Sequence, residues 1–295
     1  MDIAARQRPL PGTLVLDHVS HFVPDLDEAA RALAALGFVV TPPSAQRTQE
    51  GPAGTSNACV MLEAGYLEFL APTTHTPNAQ RLRAAMRRYP GVHLACFGTP
   101  AADEEHARLG WHGFQPMPLV DLERPVDIGG RAGRARFRVV RAAPEKMPEG
   151  RIQFVEHLTP EALWQPRHLE HENGVLRLAC LFVVAERAAA TAARWAHFAA
   201  LLPRPVGGHV HLAAARGHVL IGTRAKWGAL LGAAPRAPAL AGYALECGDA
   251  EGLASRCARS GLSPRRIRDK LYSVVLPAPL GGAWIFGTHE ALGLP

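Results

Sequence analysis

The N-terminal part of the chain combines one helical pattern with several short strand patterns. Apolar residues recur at helical spacing after Asp25 and stop at Gly37, which predicts a helix between them because Asp is a good N-cap and Gly ends helices. Short apolar or alternating runs predict strands at residues 14–23, 38–41, 58–62 and 66–70. The predicted order is therefore β-α-β-β-β.

The same order of elements is repeated in the next part of the chain. Strands are predicted at residues 92–97, 114–120, 135–141 and 152–157, with a helix at 101–109 that ends at Gly110. A polar segment containing prolines and histidines follows, and it predicts a linker at residues 161–174. We therefore expect a first domain over residues 13–160, made of modules 13–73 and 91–160.

Two further repeats follow, and they resemble the first two in element order more than in sequence. Their strands are predicted at residues 176–184, 209–213, 218–222, 243–247, 272–276 and 283–287, and their helices at 185–202 and 250–260. These repeats predict a second domain over residues 175–295. The fold class expected is α+β, with four βαβββ modules in two paired-module domains.

Three segments of the first domain carry a family resemblance: LDHVSHFVPDLDEAARALAALGF at residues 16–38, GTSN at 54–57 and YLEFL at 66–70. They resemble the vicinal oxygen chelate superfamily, in particular its glyoxalase-like branch, over about residues 14–174. The resemblance implies a glyoxalase/dioxygenase-like fold with a divalent metal held in a cup. The ligands would come from the first and fourth strands of each module, which here are the positions of His18 and Glu68.

The second module has a histidine at a matching distance from its helix. His18 lies seven residues before Asp25, and His93 lies seven residues before Pro100, where the matching helix is expected to start. By this count His93 takes the place of His18 in the second module. The resemblance then implies that His93 is a third metal ligand.

The fourth ligand position of the second module holds an amide. Matching Phe69 with Phe154 places Gln153 where the first module has Glu68. The carbonyl oxygen of Gln153 can bind a divalent cation, so Gln153 is predicted as a weak fourth ligand. Glu156 is the nearest carboxylate, but it lies three residues along and faces the other side of the strand unless a bulge intervenes.

Imidazole and carboxylate ligands suit zinc, iron, manganese or nickel, and open coordination positions can take two substrate oxygens. The resemblance thus implies a metal-dependent lyase, isomerase or ring-cleaving oxygenase that acts on a small oxygen-bearing substrate. Glu68 and His157 are the predicted catalytic groups, and His157 could instead be a further ligand because it shares strand parity with Gln153. The alternative is a metal-free protein of the same fold that binds or sequesters a small ligand.

Three other features are predicted to contact the substrate. Asn57 starts a strand, in a segment that lies near the site in the glyoxalase-like branch. Arg134, Arg136 and Arg138 alternate and share one strand face, which either holds an anionic substrate, with Arg136 as the contact, or is solvated. The linker segment HENG at residues 171–174 resembles a segment of the glyoxalase-like branch, which implies that His171 closes over the cup as a substrate contact.

The second half of the chain lacks the implied ligands. Ala179 and Gly242 stand at the positions that correspond to His18. This half is therefore predicted to be a scaffold, a lid or a contact surface in a homodimer. His209 and His211 share a strand face and are interpreted as surface or interface residues.

The composition is that of an ordinary globular protein, with 48% hydrophobic and 20% charged residues in a chain of 295. Lys and Arg number 32 against 26 Asp and Glu, but the charge is scattered, aromatic residues are few and no glycine-rich phosphate-binding motif occurs. These features argue against a nucleic-acid partner. Five widely spaced cysteines predict buried thiols. No apolar leader or membrane-spanning run is present, so we expect a cytoplasmic protein with a small-molecule substrate and no membrane partner.

Overall fold

The computed structural model describes residues 3–294, and within them the chain forms eight α-helices and sixteen β-strands. The helices are α1 (Ile3–Arg6), α2 (Leu26–Ala35), α3 (Pro77–Met86), α4 (Ala102–Trp111), α5 (Ala188–Ala199), α6 (Arg224–Leu231), α7 (Ala250–Arg259) and α8 (His289–Leu292). The strands of the first half are β1 (Val15–Phe22), β2 (Ser44–Thr48), β3 (Gly51–Met61), β4 (Tyr66–Pro72), β5 (Gly91–Gly98), β6 (Val120–Ile128), β7 (Arg131–Arg141) and β8 (Arg151–His157). Those of the second half are β9 (Val175–Val184), β10 (Pro203–Val206), β11 (His209–Ala213), β12 (His218–Gly222), β13 (Ala239–Cys247), β14 (Arg265–Arg268), β15 (Leu271–Val275) and β16 (Ala283–Gly287).

The first eight strands close into a barrel in the order β1-β4-β3-β2-β6-β7-β8-β5. The two modules of this half meet along two seams, because β1 pairs with β5 and β2 pairs with β6, both antiparallel. Side chains alternate between the two faces of each strand, so the inward-facing residues of both modules share one enclosed interior. That interior is where the candidate site lies.

The other eight strands form an open sheet in the order β10-β11-β12-β9-β13-β16-β15-β14. Its two modules are joined by the antiparallel pairing of β9 with β13. In both halves each module has the order strand, helix and three strands. The predicted α+β fold of four βαβββ modules is confirmed.

Two predicted strands form later in the chain than expected. β2 begins at Ser44 instead of within residues 38–41, and β6 begins only at Val120, the last residue of the segment predicted at 114–120. Pro42 and Pro43 follow the first predicted segment, and Pro116 and Pro118 lie within the second. Proline has no N–H to donate to a sheet ladder, so in each case the strand starts only after the prolines.

The second sheet packs against the outer face of the barrel. Val19 and Phe97, on β1 and β5, belong to the same buried cluster as Trp195 on α5 and Tyr243 on β13. His21 joins the two halves, since its Nε2 lies 2.9 Å from the Tyr243 hydroxyl. The second half therefore packs behind β1 and β5 of the barrel. No helix within residues 3–294 has the length and apolar character needed to cross a membrane.

Two β-bulges interrupt the pairing of β1 with β5. One leaves Asp17 of β1 without an opposing residue, and the other leaves His93 of β5 without one. A bulge changes the direction of the side chains near it. Both bulges decide which side chains reach the barrel interior.

Candidate functional site

A small group of polar side chains lies inside the barrel. His18 on β1, Asn57 on β3, Glu68 on β4 and Gln153 on β8 are all buried and line a cavity of about 40 Å³. The apolar residues around this cavity are Tyr66, Leu70, Leu94, Leu122, Phe137, Val139 and Val155. The structure thus brings together three of the four predicted metal ligands and one predicted substrate contact.

Asp17, at the first bulge, links two histidines beside this cavity. Its Oδ1 accepts a hydrogen bond from Nδ1 of His18 at 2.7 Å, and its Oδ2 lies 3.0 Å from Nε2 of His157. Burial alone would raise the pKa of Asp17, but His157 and His18 hold it well below its usual range. Burial opposes a charge on His18, but Cys96 and Asp17 raise the pKa of His18 well above its usual value. The hydrogen bond to Asp17 leaves Nε2 of His18 facing Glu68.

Glu68 is held by two side-chain amides. Its Oε1 accepts hydrogen bonds from Nδ2 of Asn57 at 2.6 Å and from Nε2 of Gln46 at 3.3 Å. Thr55 orients Gln46 by donating its hydroxyl to the amide oxygen at 2.8 Å. The other oxygen of Glu68 lies 4.0 Å from Nε2 of His18. Sequence reasoning missed Gln46 because β2 was predicted to lie earlier in the chain.

Gln153 occupies the position that sequence matching assigned to it. In the parallel ladders, Ser20 pairs with Glu68 in the first module and Cys96 pairs with Gln153 in the second. Nε2 of Gln153 lies 3.7 Å from the Cys96 sulfur. Within residues 3–294, Oε1 of Gln153 and Oδ1 of Asn57 are buried with no hydrogen-bond partner. Both amide oxygens are therefore available to a bound group.

Arginines also line this interior, and sequence reasoning did not select them. Arg124, Arg141 and Arg151 border the small cavity, and Arg141 and Arg151 also border a larger one of about 570 Å³. A signal for Arg141 exists in the sequence, because Phe137 and Val139 are buried on the inner face of β7 and Arg141 continues the same alternation.

A family model described as a glyoxalase-like domain matches residues 16–199. The chain belongs to the glyoxalase-like domain family. The resemblance to the vicinal oxygen chelate superfamily is thereby confirmed, and the match runs through the barrel into β9 and α5. No curated protein sequence matches the chain.

Several solved structures share this fold and align with most of the glyoxalase-like chain. A hypothetical protein from Staphylococcus aureus is 11% identical with a TM-score of 0.67, over 93% of this chain and 99% of that one. The Mn(II)-bound glyoxalase from Novosphingobium aromaticivorans is 11% identical with a TM-score of 0.57, over 94% and 83%. The 2,3-dioxygenase LapB from Pseudomonas sp. KL28 is 13% identical with a TM-score of 0.54, over 95% and 93%. At these identities the likeness shows the fold.

His93 does not join His18 and Glu68 in this glyoxalase-like barrel, contrary to the prediction. Its Nε2 donates a hydrogen bond to the carbonyl oxygen of Tyr89 at 2.8 Å, and its ring packs against Tyr89 and Phe22. Burial lowers the pKa of His93 to about 4. The ring borders the larger cavity instead of the small one.

The misplacement of His93 has a definite cause. The N-cap of α4 is Ala101, one residue later than the helix start that the sequence count assumed at Pro100. With this shift, Leu94 takes the place of His18 in the second module. Leu94 is an inward-facing apolar residue that borders the small cavity.

The remaining donors do not fit the metal site that the family resemblance implied. Within residues 3–294, no three His, Cys, Asp or Glu side chains come together in a way that could hold a metal ion. His18 and Glu68 are the two ionisable donors that remain of the predicted set, and both are hydrogen-bonded to other residues. Three guanidinium groups border the same cavity, and their positive charge opposes a divalent cation.

The two candidates at the end of β8 have different roles. His157 lies inside the barrel, but it contacts Asp17 and packs against Trp164 and Phe137. It positions Asp17, which in turn orients His18. Glu156 faces the other side of the strand, where its carboxylate accepts a hydrogen bond from the backbone N–H of Ala102 at 3.1 Å.

The structure places Arg136 and His171 away from the cavity. Arg136 is exposed on the outer face of β7, as is Arg134, which pairs with Glu123. His171 accepts a hydrogen bond from the N–H of Val39 and donates one to the carbonyl oxygen of Met61. It therefore ties the connecting segment to the barrel wall. Neither Arg136 nor His171 therefore faces the cavity, and for Arg136 the exposed position agrees with the alternative of a solvated strand face.

Proposed function

We propose that the interior of this barrel binds a small molecule directly, without a tightly held divalent metal. One observation supports this most strongly. The second module has Leu94 and Gln153 where the first has His18 and Glu68, so only two ionisable donors of the predicted set face each other. These two are 4.0 Å apart and already hydrogen-bonded. Of the two functions predicted from the sequence, the metal-free binding protein is therefore better supported.

The two cavities provide room for a ligand of ordinary size. The inner cavity of about 40 Å³ can take a small polar group, and the outer one of about 570 Å³ falls within the range typical of small-molecule sites. His18, Glu68 and the amide oxygens of Asn57 and Gln153 offer hydrogen-bonding partners in the inner cavity. This arrangement supports a ligand whose polar end enters the inner cavity and whose body stays in the outer one.

Metal analysis tests the proposal. The purified protein would be incubated in turn with Zn²⁺, Mn²⁺, Ni²⁺ and, without oxygen, Fe²⁺, then desalted and analysed by mass spectrometry for bound metal. We expect substoichiometric metal in the wild type and no change in His18→Ala. The matched control is His75→Ala, since His75 is exposed. Stoichiometric metal that is lost in His18→Ala and retained in the control would contradict the proposal.

One observation supports metal-assisted catalysis as a second candidate. The hydrogen bond from His18 to Asp17 has the form that orients histidine ligands in metal sites, where a carboxylate binds the ring nitrogen away from the metal. The amide oxygens of Asn57 and Gln153 would have to complete the coordination. The same metal analysis decides between the two candidates, because this one requires stoichiometric metal that depends on both His18 and Glu68.

A further inference from the structure

The larger cavity adjoins the small one, since Arg141 and Arg151 line both. It is bounded by α3, by the bulge at His93, by the segment that joins β7 to β8, and by Pro238 of the second half. Phe22, Met117 and Met147 contribute apolar surface. We call this cavity the vestibule. Arg141 and Arg151 border both cavities, so their side chains stand where the vestibule meets the interior.

The arginines of the vestibule are not neutralised by carboxylates. Arg81, Arg88, Arg141 and Arg151 border it, and the one acidic residue among its lining residues is Glu145, which is exposed. Within residues 3–294, neither Arg141 nor Arg151 forms an ion pair, and Nε of Arg141 is buried with no hydrogen-bond partner. Both side chains are half-buried, and a partly desolvated guanidinium without a carboxylate partner is unfavourable, so the fold keeps these charges at a cost.

The charges also act on one another. Burial, followed by the neighbouring Arg141 and Arg81, lowers the pKa of Arg151 to about 9, against an opposing effect of Glu68. Burial and then Arg81 lower the pKa of Arg141, against opposing effects of Cys96 and Glu68. Arg151 donates a hydrogen bond to Asn78 at 2.9 Å, which fixes its position without neutralising its charge. A bound anion would relieve the repulsion between these groups.

We propose that the vestibule binds a monoanionic carboxylate with an apolar body, whose carboxylate is held by Arg141 and Arg151. The planar guanidinium group matches a carboxylate through paired hydrogen bonds. Glu68 lies in the adjacent cavity and disfavours a second negative charge, which selects a carboxylate over a phosphate dianion. The inference deepens the proposed function, since it names the ligand class for the same barrel and rests on direct binding there.

Three probes that share one ring system test the ligand class. Isothermal titration calorimetry would compare 2-naphthoate, the neutral 2-naphthamide and 2-naphthyl phosphate. Because a hydrogen bond to a charged group contributes substantially, we expect the carboxylate to bind about 10- to 100-fold more tightly than the amide. We also expect the carboxylate to bind more tightly than the phosphate. Added salt should weaken the binding of naphthoate and leave that of naphthamide unchanged.

Two variants assign the preference to the named residues. Arg141→Gln and Arg151→Gln should each reduce the preference for naphthoate over naphthamide by about tenfold while the affinity for naphthamide is retained. Arg134→Gln is the matched control, because Arg134 lies on the outer face of the same strand. Thermal unfolding followed by circular dichroism would show that each variant is folded, and two variants are used so that a failure of one to fold leaves the other informative.

Several outcomes would overturn the inference. Equal affinity of the wild type for naphthoate and naphthamide, no binding of either, or tighter binding of the phosphate would each contradict the ligand class. A preference for naphthoate over naphthamide that survives in both arginine variants, or that does not change with salt, would contradict the assignment of the carboxylate site to Arg141 and Arg151. Failure of the proposed function is distinguishable: stoichiometric metal combined with an arginine-dependent preference for naphthoate would refute the metal-free proposal and leave this inference intact.

Discussion

Replacing His21 by phenylalanine should weaken the fold at neutral pH. The imidazole is fully buried where the second sheet packs on β1. Its Nδ1 donates a hydrogen bond to the carbonyl oxygen of Leu280 at 2.9 Å, and its Nε2 accepts one from the hydroxyl of Tyr243 at 2.9 Å. In His21→Phe both partners stay buried and lose this bond. Each such group costs about 1–3 kcal/mol, so for the two groups we expect a loss of about 2–6 kcal/mol in the free energy of unfolding at pH 7.

The same substitution should make the fold less sensitive to acid. Burial is the main cause that lowers the pKa of His21 from 6.5 to about 4, against the opposing effect of the Leu280 carbonyl. The unfolded chain therefore takes up this proton at a higher pH than the folded protein. The resulting stability is present above pH 6.5 and is lost as the pH falls towards 4. At about 1.4 kcal/mol per pKa unit, the wild type loses about 3 kcal/mol through this group.

Urea unfolding followed by tryptophan fluorescence, at several pH values between about 7 and 4.5, measures both effects. The difference in unfolding free energy between wild type and His21→Phe should narrow by about 2–3 kcal/mol across this range. The control His75→Phe, at an exposed position, should follow the wild type at every pH. A difference that stays constant with pH would refute the reasoning, because it would mean that His21 is not held neutral by the fold.

Two further predictions concern the bulge and the glycines. Asp17→Asn removes the negative charge that His18 and His157 share, so it should lower the free energy of unfolding by about 3 kcal/mol. The exposed control Asp269→Asn should change the free energy of unfolding by less than about 0.5 kcal/mol. Equal effects of the two substitutions in urea titrations would show that the charge of Asp17 does not stabilise the two histidines. Gly242→Ala should unfold the second sheet or lower its melting temperature strongly, because the new Cβ would collide with the carbonyl oxygen of Ala283. Gly228 lies in the interior of α6 with open space around it, so Gly228→Ala should instead stabilise the protein by about 0.5–1 kcal/mol. Calorimetry that found both Gly242→Ala and Gly228→Ala neutral would contradict the packing described here.

Alternation along single strands was predictable, because side chains of a regular strand point to opposite faces in turn. His18, Asn57 and Glu68 were selected through the family resemblance, and all three line the inner cavity. Strand parity also placed Glu156 on the outer face, where it binds the N-terminus of α4. These local features needed no knowledge of which strands are neighbours.

Pairing between strands was not predictable in the same way. His93 was misplaced because a bulge in β5 and the late start of α4 shift the second module by one residue, and a shift of one residue moves a side chain to the other face. Gln46 was missed because its place in the interior depends on where β2 begins, which no local pattern gave. Arg141 continues the alternation of Phe137 and Val139 along β7, so a local signal existed for it and was not used.

The sequence by itself determined the four-module order, which follows from apolar periodicity and helix caps within short segments, and the family resemblance pointed to the inward positions of His18, Asn57 and Glu68. Only the tertiary structure decided that the barrel closes through β2 and β6, that bulged Asp17 binds two histidines, and that Arg141 and Arg151 meet at the vestibule without carboxylate partners. The physical reason is that register, bulges and charge pairing depend on residues far apart in the chain. The free energy of those contacts is defined only once the strands lie side by side.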